Sequence, residues 1–277
     1  MELKSYISRG IKYIIKGQPI KNIRADISYL QPNGLLTGKK IVVTGGGRGL
    51  GMSMASKFLR EGADVLIAGR SEKTLKETAE KIGCKYLTLN VSNIETFAEF
   101  IHRADEMLDG INCLVNNAGI SLHEKTFFDV TPETFDAQIN TNFKGAFFLT
   151  QEFIKLILSK NCKANILFIS SETGDTMDFR PYGYTKVAVN SMVQGLAYRF
   201  ANDNIRINAV APGITASDMT GYQKEGNLYC SYNHTERVYL PEEVSETACF
   251  LLSDASGCIS GQIITCNNAK TINVRWK

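Results

Sequence analysis

The sequence has no uninterrupted apolar run that approaches the ~20 residues of a membrane-spanning helix. Its first residues also lack the apolar centre of a secretory signal, because Lys or Arg recurs every few positions. We therefore expect a cytoplasmic protein. The net charge is only +3 over 277 residues, which gives no general attraction to nucleic acid.

Metal-binding patterns are missing as well. The seven cysteines form no Cys-x-x-Cys pair and no Cys/His cluster. Their odd number, with several inside apolar runs, favours a reducing compartment. The three histidines, His102, His123 and His234, are scattered along the chain, so we expect no metal site.

From Gly38 onward, short apolar runs alternate with longer amphipathic stretches. Each short run is bounded by Gly, Asn, Pro or Ser, as strands are. Strands buried on both faces and alternating with helices indicate a parallel sheet covered on both sides. The sequence therefore predicts a single α/β domain over residues 38–277, with a doubly wound, Rossmann-type parallel sheet. The predicted strands are 40–44, 64–68, 86–90, 113–116, 165–170, 206–211 and 262–266, and the predicted helices are 52–61, 133–159, 184–201 and 242–253.

Residues 1–37 precede this pattern and predict an N-terminal helical extension. Apolar residues recur at three- and four-residue steps from Leu3 to Ile14, and the first 24 positions hold six Lys or Arg residues against Glu2 alone. This pattern is typical of a basic amphipathic helix. Such a helix packs on its own domain or a neighbouring subunit, or it contacts an anionic membrane surface.

A glycine-rich turn follows the first predicted strand and precedes a helix. Glycines let the backbone approach a pyrophosphate closely, and the helix start offers free N–H groups. The spacing Thr-Gly-x-x-x-Gly-x-Gly resembles the glycine motif of the short-chain dehydrogenase/reductase family. This resemblance implies that a nicotinamide dinucleotide contacts Gly45, Gly47, Arg48, Gly49, Leu50 and Gly51.

The end of the second predicted strand bears on the choice of cofactor. A carboxylate at this place holds the ribose 2′-hydroxyl of NAD(H), whereas a nearby Arg accommodates a 2′-phosphate. Gly69 occupies the acid position, Arg70 follows it, and Arg48 adds a second cation. Because guanidinium groups grip phosphate through paired bonds, the sequence predicts NADP(H) over NAD(H). The alternative is that both are solvated surface arginines.

A tyrosine and a lysine stand four residues apart at Tyr182 and Lys186, so on a helix they share one face. Hydride transfer to a carbonyl leaves an alkoxide that needs a proton, and a nearby cation lowers the pKa of a tyrosine toward this task. Tyr184 lacks such a lysine partner, because Ala188 stands four residues later. The family resemblance implies that Tyr182 is the acid/base and that Lys186 also bonds the nicotinamide ribose.

The same resemblance implies two further catalytic residues. Ser171 would hydrogen-bond the reacting oxygen, with Ser170 as the reserve candidate. The loop from Ser171 to Tyr182 is a residue or two shorter than in the family. Asn142 would hold a water that relays protons to Lys186, and Asn140 is less well aligned.

Other segments resemble the family's cofactor contacts. The resemblance covers roughly residues 38–268 and is strongest to bacterial 3-oxoacyl-(acyl-carrier-protein) reductases. The end departs from the family, because Asn267-Asn268-Ala269 stands where relatives have Asp-Gly-Gly. The implied cofactor contacts are Asn90, Val91, Asn117, Ala118, Gly119, Tyr182, Lys186, Pro212, Gly213, Thr215 and Ser217.

Taken together, the motifs predict an oxidoreductase that transfers a hydride between NADP(H) and a carbonyl or secondary alcohol, working as a homodimer or homotetramer. Two other hypotheses remain: a cofactor-binding sensor or scaffold with little catalytic activity, and a sugar-modifying enzyme such as an epimerase or dehydratase. Sugars, polyols, acyl thioesters and steroids all remain candidate substrates.

Overall fold

The protein is described by a computed structural model over residues 34–272. Within that range seven parallel strands form one sheet. From one edge to the other, the strands run β3, β2, β1, β4, β5, β6 and β7. Their bounds are β1 Lys40–Thr44, β2 Asp64–Gly69, β3 Lys85–Thr88, β4 Cys113–Asn116, β5 Ala164–Ile169, β6 Ile205–Pro212 and β7 Ile263–Cys266.

The same described range contains seven α-helices, and short 3₁₀ turns join some of the elements. None of the helices in this part of the chain is long and apolar enough to cross a membrane. The helices are α1 Gly49–Arg60, α2 Glu72–Ile82, α3 Phe97–Met107, α4 Pro132–Ile139, α5 Gly145–Lys160, α6 Pro181–Phe200 and α7 Pro241–Leu252.

Two apolar layers cover the sheet, because successive side chains of a strand point to opposite faces. On β1, Val42 points into the layer that holds α3, α5 and α6, where Phe153 is fully buried. Ile41 and Val43 point into the opposite layer with α1, α2 and α7, around Phe58. The predicted doubly wound Rossmann-type domain is therefore confirmed.

The last residues of the predicted extension pack on this domain. Leu36 is fully buried in the layer that holds α1. Its backbone N–H donates to the carbonyl oxygen of Glu61 at 3.0 Å. The predicted basic amphipathic helix falls within residues 1–33, outside the described residues.

All seven predicted strands are confirmed to within two residues at each end, but the helix predictions need correction. Helices α2 and α3 were not predicted. The predicted helix 133–159 is divided, since a π-helical segment, Asn140–Lys144, separates α4 from α5. The third strand ends at Thr88 instead of Asn90, so Asn90 and Val91 lie in the loop that follows it.

The start of α5 is held against the loop after β3. A Cβ built on Gly145 would lie 2.0 Å from the carbonyl oxygen of Val91. Real Cβ atoms never approach backbone so closely, so the backbone of one segment must move if Gly145 acquires a side chain. This close approach requires glycine.

We therefore expect Gly145→Ala to lower the free energy of unfolding by roughly 2–4 kcal/mol, because it overpacks a backbone contact. Urea unfolding measures the effect. Gly195→Ala is the matched control in α6, where no described atom lies within 4 Å of the added Cβ. That control should gain up to about 1 kcal/mol from helix propensity. Equal unfolding midpoints for Gly145→Ala and the wild type would show that the contact does not constrain the fold.

Candidate active site

The glycine turn after β1 is bonded to the turn after β4. The backbone N–H groups of Asn117 and Ala118 donate to the Thr44 hydroxyl at 3.0 and 3.1 Å. The Asn117 amide donates to the carbonyl oxygens of Thr44 and Gly45 at 2.9 and 3.2 Å. The backbone of Ala118 and Gly119 is thereby held beside the glycine turn at the carboxyl edge of the sheet.

Glycine is required at both ends of this turn. Gly45 and Gly49 adopt φ angles of +65° and +53°, which disfavour side chains. A Cβ on Gly51 would lie 2.2 Å from the carbonyl oxygen of Gly45, so the start of α1 packs directly on the turn. Only residues without a side chain fit at these positions of the turn.

The N-terminus of α1 suits an anion. Arg48 is the residue before the helix, and its side chain makes no capping hydrogen bond with the described part of α1. The first turn, from Gly49 through Leu50 and Gly51, carries no acidic residue. Free N–H groups and the positive end of the helix dipole therefore face the turn, and they fit a pyrophosphate.

The two predicted cations lie near different elements. Arg70 is exposed immediately after β2, and Gly69 leaves open the position at the end of that strand. The Arg48 guanidinium forms an ion pair with the Asp218 carboxylate at 3.1 Å, and both side chains are more than half exposed. Such an exposed pair contributes at most about 1 kcal/mol, so a phosphate could compete for Arg48. The sequence reasoning did not foresee Asp218 as its partner.

The loop after β3 carries the predicted adenine contacts. Asn90 is exposed, and its side-chain oxygen accepts from the Ser92 N–H at 3.1 Å. Val91 is buried, and its carbonyl oxygen faces Gly145. The loop is thus held in place while one polar side chain remains accessible.

Tyr182 and Lys186 face each other on the first turns of α6. The Lys186 ammonium nitrogen lies 5.4 Å from the centre of the Tyr182 ring. It also donates to the carbonyl oxygen of Ile169, the last residue of β5, at 2.8 Å. Lys186 is only 6% exposed. Burial disfavours its charged form and lowers its pKa to about 8.

The surroundings of Tyr182 act against the sequence-based prediction. Burial raises the pKa of its phenol above the usual value, and this is the largest influence. The hydrogen bond with Ser171 and the charge of Arg180 lower the pKa, whereas the carboxylates of Asp178 and Glu172 raise it. The net pKa is raised and not lowered, because burial outweighs the Ser171 hydrogen bond and the charge of Arg180.

The two candidate serines after β5 point to different partners. The Ser171 hydroxyl interacts with Tyr182 and also accepts from the Thr173 N–H at 3.2 Å. The Ser170 hydroxyl donates to the side-chain oxygen of Asn190 on α6 at 2.6 Å. The shortened loop therefore still brings Ser171, and not Ser170, to the tyrosine.

Asn142 is buried in the π-helical segment between α4 and α5. Its amide exchanges two hydrogen bonds of 2.8 Å with the backbone of Ile120, in the loop after β4. It also donates to the Thr185 hydroxyl at 3.3 Å, and that hydroxyl donates to the carbonyl oxygen of Tyr182 at 2.7 Å. Asn142 thus links the loop after β4 to the turn of α6 that bears Tyr182.

The segment after β6 is folded back on itself. The Gly213 N–H donates to the carbonyl oxygen of Cys266 at 3.0 Å, directly after Pro212 ends the strand. Thr215 is buried, and its hydroxyl donates to the carbonyl oxygen of Gly213 at 2.9 Å. The Ser217 hydroxyl donates to the carbonyl oxygen of Thr215 at 3.3 Å. These bonds hold the segment next to the glycine turn, where a Cβ on Gly49 would contact Ser217.

A buried carboxylate that the sequence reasoning missed follows Ser171. Glu172 forms an ion pair with Lys270 at 2.5 Å and accepts from the Asn267 amide at 3.1 Å. The signal in the sequence was the departure from the family pattern that begins at Asn267, and Lys270 directly follows that stretch.

The lowered pKa of Lys186 predicts a pH dependence of stability. Its pKa is about 8 in the folded protein, against 10.5 unperturbed. Between these values the unfolded chain binds the extra proton, so the free energy of unfolding rises with pH. From about pH 7.5 to 9.5, we expect the wild type to gain up to about 2 kcal/mol relative to Lys186→Met. Urea unfolding of both proteins across this range measures the difference, and a flat or falling difference would exclude a depressed lysine pKa.

The sheet order and the glycine turn define the chain as a Rossmann-type α/β protein, with a cluster of Tyr, Ser, Lys and Asn side chains at the carboxyl edge of its sheet. A family model described as Enoyl-(Acyl carrier protein) reductase matches residues 44–268. The chain therefore belongs to the short-chain dehydrogenase/reductase family of oxidoreductases, as the sequence predicted.

Individual relatives agree with this assignment. The 3-oxoacyl-(acyl-carrier-protein) reductase of Aquifex aeolicus is 32% identical over 242 residues, covering 84% of this chain and 97% of that protein. The 3alpha-hydroxysteroid dehydrogenase of Mediterraneibacter gnavus is 32% identical over 248 residues, covering 85% and 98%. The solved structure of a short-chain type dehydrogenase/reductase from Mycobacterium marinum superposes with a TM-score of 0.78 at 26% identity, covering 86% of this chain and 97% of that one.

Proposed function

We propose that the protein transfers a hydride between NADP(H) and a carbonyl or secondary alcohol substrate. The observation that carries this proposal is the meeting of Tyr182, Ser171 and Lys186. Lys186 lies 5.4 Å from the tyrosine ring, and the Ser171 hydroxyl interacts with the phenol. A proton donor, a hydrogen-bond donor and a cation thus converge at the sheet edge that also bears the glycine turn.

The cofactor-binding residues fit a dinucleotide. The glycine turn Gly45–Gly51 and the start of α1, which has no side-chain cap from Arg48, suit its pyrophosphate. The absence of a carboxylate at Gly69, with Arg70 exposed beside it, supports NADP(H) over NAD(H). Arg48 would exchange Asp218 for the 2′-phosphate. When bound, the nicotinamide supplies or accepts the hydride.

Each catalytic side chain has a distinct role in this proposal. Tyr182 donates a proton to the oxygen of the reacting carbonyl, and its raised pKa keeps it protonated and ready to donate near neutral pH. The Ser171 hydroxyl donates a hydrogen bond to the same oxygen and stabilises its developing charge. Lys186, anchored on Ile169, supplies positive charge beside the phenolate that remains. Asn142 orders the chain around Tyr182 and holds the relay water.

The proposal extends to assembly and location. We propose a cytoplasmic homodimer or homotetramer. Large exposed apolar side chains on two helices of the same layer support association with a second copy, because a monomer would leave them in water. These exposed side chains are Phe147 and Leu158 on α5, and Val187 and Tyr198 on α6.

Steady-state oxidation of NADPH with a panel of carbonyl substrates tests the proposed function. The panel contains a 3-oxoacyl thioester, a 3-oxosteroid, a ketose and an aliphatic ketone, each also assayed with NADH. We expect substrate-dependent loss of NADPH absorbance with at least one of them, and faster than with NADH. A protein that binds NADPH without consuming it would instead be a sensor or scaffold, or would catalyse an epimerisation or dehydration.

A further inference from the structure

The loop after β5 carries a buried carboxylate that the proposed chemistry does not use. Glu172 directly follows Ser171 and is 7% exposed. Lys270, near the end of the described chain, approaches one of its oxygens at 2.5 Å. Asn267, itself buried, donates to the other at 3.1 Å. Both carboxylate oxygens are therefore bonded to the same C-terminal turn, Asn267–Lys270.

The Glu172 carboxylate lies between the C-terminal turn and the segment that follows β6. A Cβ on Gly213 would lie 3.2 Å from a Glu172 oxygen and 3.0 Å from the Cβ of Asn267. The carboxylate therefore lies against Gly213, in the segment after β6 that the family resemblance implies as a cofactor contact. A second bond ties the same loop to the C-terminal strand, because the Thr265 hydroxyl donates to the Asp175 carboxylate at 2.8 Å.

A carboxylate buried this deeply is unfavourable unless a cation and hydrogen bonds compensate it. Lys270 is the cation that contacts it among the described residues. Removing that ammonium would leave an uncompensated negative charge one residue from Ser171. Removing one partner of a buried ion pair destabilises a protein much more than replacing both partners, since the remaining charge stays buried.

We propose that Lys270 is a positioning residue: acting through Glu172, it holds the Ser171 loop in place and weakens the effect of the Glu172 charge on Tyr182. The consequence for turnover rests on the proposed function, but the coupling between the C-terminal turn and the tyrosine does not. Lys270 directly follows Asn267-Asn268-Ala269, the stretch that stands where the family has Asp-Gly-Gly.

The charged groups around Tyr182 determine the direction in which loss of Lys270 should shift the pKa of this tyrosine. Arg180 lowers its pKa, and Asp178 and Glu172 raise it. Lys186 faces the ring from the next turn of α6. Since Glu172 already disfavours the phenolate with Lys270 in place, loss of Lys270 should disfavour it further.

Tyrosinate absorbance during pH titration tests the proposal without any substrate. The difference between the wild type and Tyr182→Phe isolates the titration of Tyr182, and the same pair is compared in the Lys270→Met background. We expect Lys270→Met to raise the Tyr182 midpoint by roughly 0.5–1 unit. Adding Glu172→Gln should reverse this shift, and Lys270→Arg should show none. Lys76→Met is the matched control, because Lys76 is exposed on α2, and it should leave the Tyr182 midpoint unchanged.

Turnover provides the second readout. Lys270→Met should lower kcat by roughly tenfold through misplacement of Ser171, with the KM for NADPH nearly unchanged. Lys270→Arg should restore kcat. A merely structural role would lower the unfolding midpoint without moving the tyrosine titration.

The outcomes separate the two proposals. A folded Lys270→Met protein with an unchanged Tyr182 midpoint overturns this inference, whatever its activity. If Lys270→Met does not fold, Glu172→Gln alone decides: it should lower the Tyr182 midpoint, and an unchanged midpoint refutes the coupling. If the wild type oxidises NADPH with none of the carbonyl substrates, the proposed function is contradicted. The tyrosine titration result is then still valid.

Discussion

Tyr182→Phe should lower kcat for carbonyl reduction by about 10²–10⁴-fold, the usual contribution of a positioned proton donor. The substitution removes only the hydroxyl that interacts with Ser171 and keeps the ring beside Lys186. Since the pyrophosphate and adenine contacts are made elsewhere, the Kd for NADPH should stay within about twofold. Stopped-flow or steady-state NADPH oxidation measures kcat, and fluorescence titration measures Kd.

Tyr184→Phe is the matched control for this experiment. It removes the same atom from the same helix two residues away, where the side chain is 47% exposed. We expect its kcat to remain within about twofold of the wild type, as for an exposed residue outside the site. Substantial turnover in Tyr182→Phe, or equal losses in both variants, would refute Tyr182 as the acid.

Gly69→Asp should reverse the cofactor preference. A Cβ at this position would lie 3.5 Å from the Leu75 side chain, an ordinary contact, so the fold should accept the new side chain. Its carboxylate would stand at the end of β2 beside Arg70, where it would repel a 2′-phosphate and accept a hydrogen bond from a 2′-hydroxyl. The like-charge contact should weaken NADPH binding by roughly 100-fold, equivalent to about 2.7 kcal/mol.

NADH binding should tighten in the same variant, by roughly tenfold, from one hydrogen bond to a charged group. The measurement is the Kd of each cofactor by fluorescence titration, so it does not depend on a substrate. Gly195→Asp is the control, because it adds the same charge at an open site on α6. Unchanged NADPH affinity in Gly69→Asp would mean that the 2′-phosphate is not bound at the end of β2, and the NADP(H) proposal would fail.

The sheet was predictable because its strands are buried on both faces and appear as continuous apolar runs. Helix α2, which the sequence did not predict, carries local start and stop signals. In α2, Ser71 caps the first turn by accepting from the Thr74 N–H at 3.3 Å, and Gly83 ends the helix at φ +77°. Only Leu75, Thr78 and Ala79 are buried in this helix, so its apolar face is narrow and holds one large side chain.

The break between α4 and α5 could not be predicted from periodicity, since the chain stays helical through the π segment. It is associated with contacts from distant residues. Gly145 lies against the Val91 carbonyl, and Asn142 bonds the backbone of Ile120. Both partners come from loops that follow other strands.

The spacing of Tyr182 and Lys186 shows that they share a helix face, but it does not show whether the two side chains are buried. Burial dominates the pKa values of both groups, and it acts in opposite directions on a phenol and an ammonium. The spacing also does not show which serine meets the tyrosine. The Ser170 hydroxyl bonds Asn190 on α6, whereas the Ser171 hydroxyl interacts with Tyr182.

The sequence by itself determined the seven strands, the family, and the residue types at the glycine turn and the Tyr-Lys pair, because these depend on local spacing and hydrophobic period. Only the tertiary structure decided which groups meet: the Arg48–Asp218 pair, the burial around Tyr182, and the Lys270–Glu172 bond across 98 positions of the chain. Contacts between distant segments leave no periodic trace in a sequence, whereas burial and charge at those contacts set the chemistry of the site.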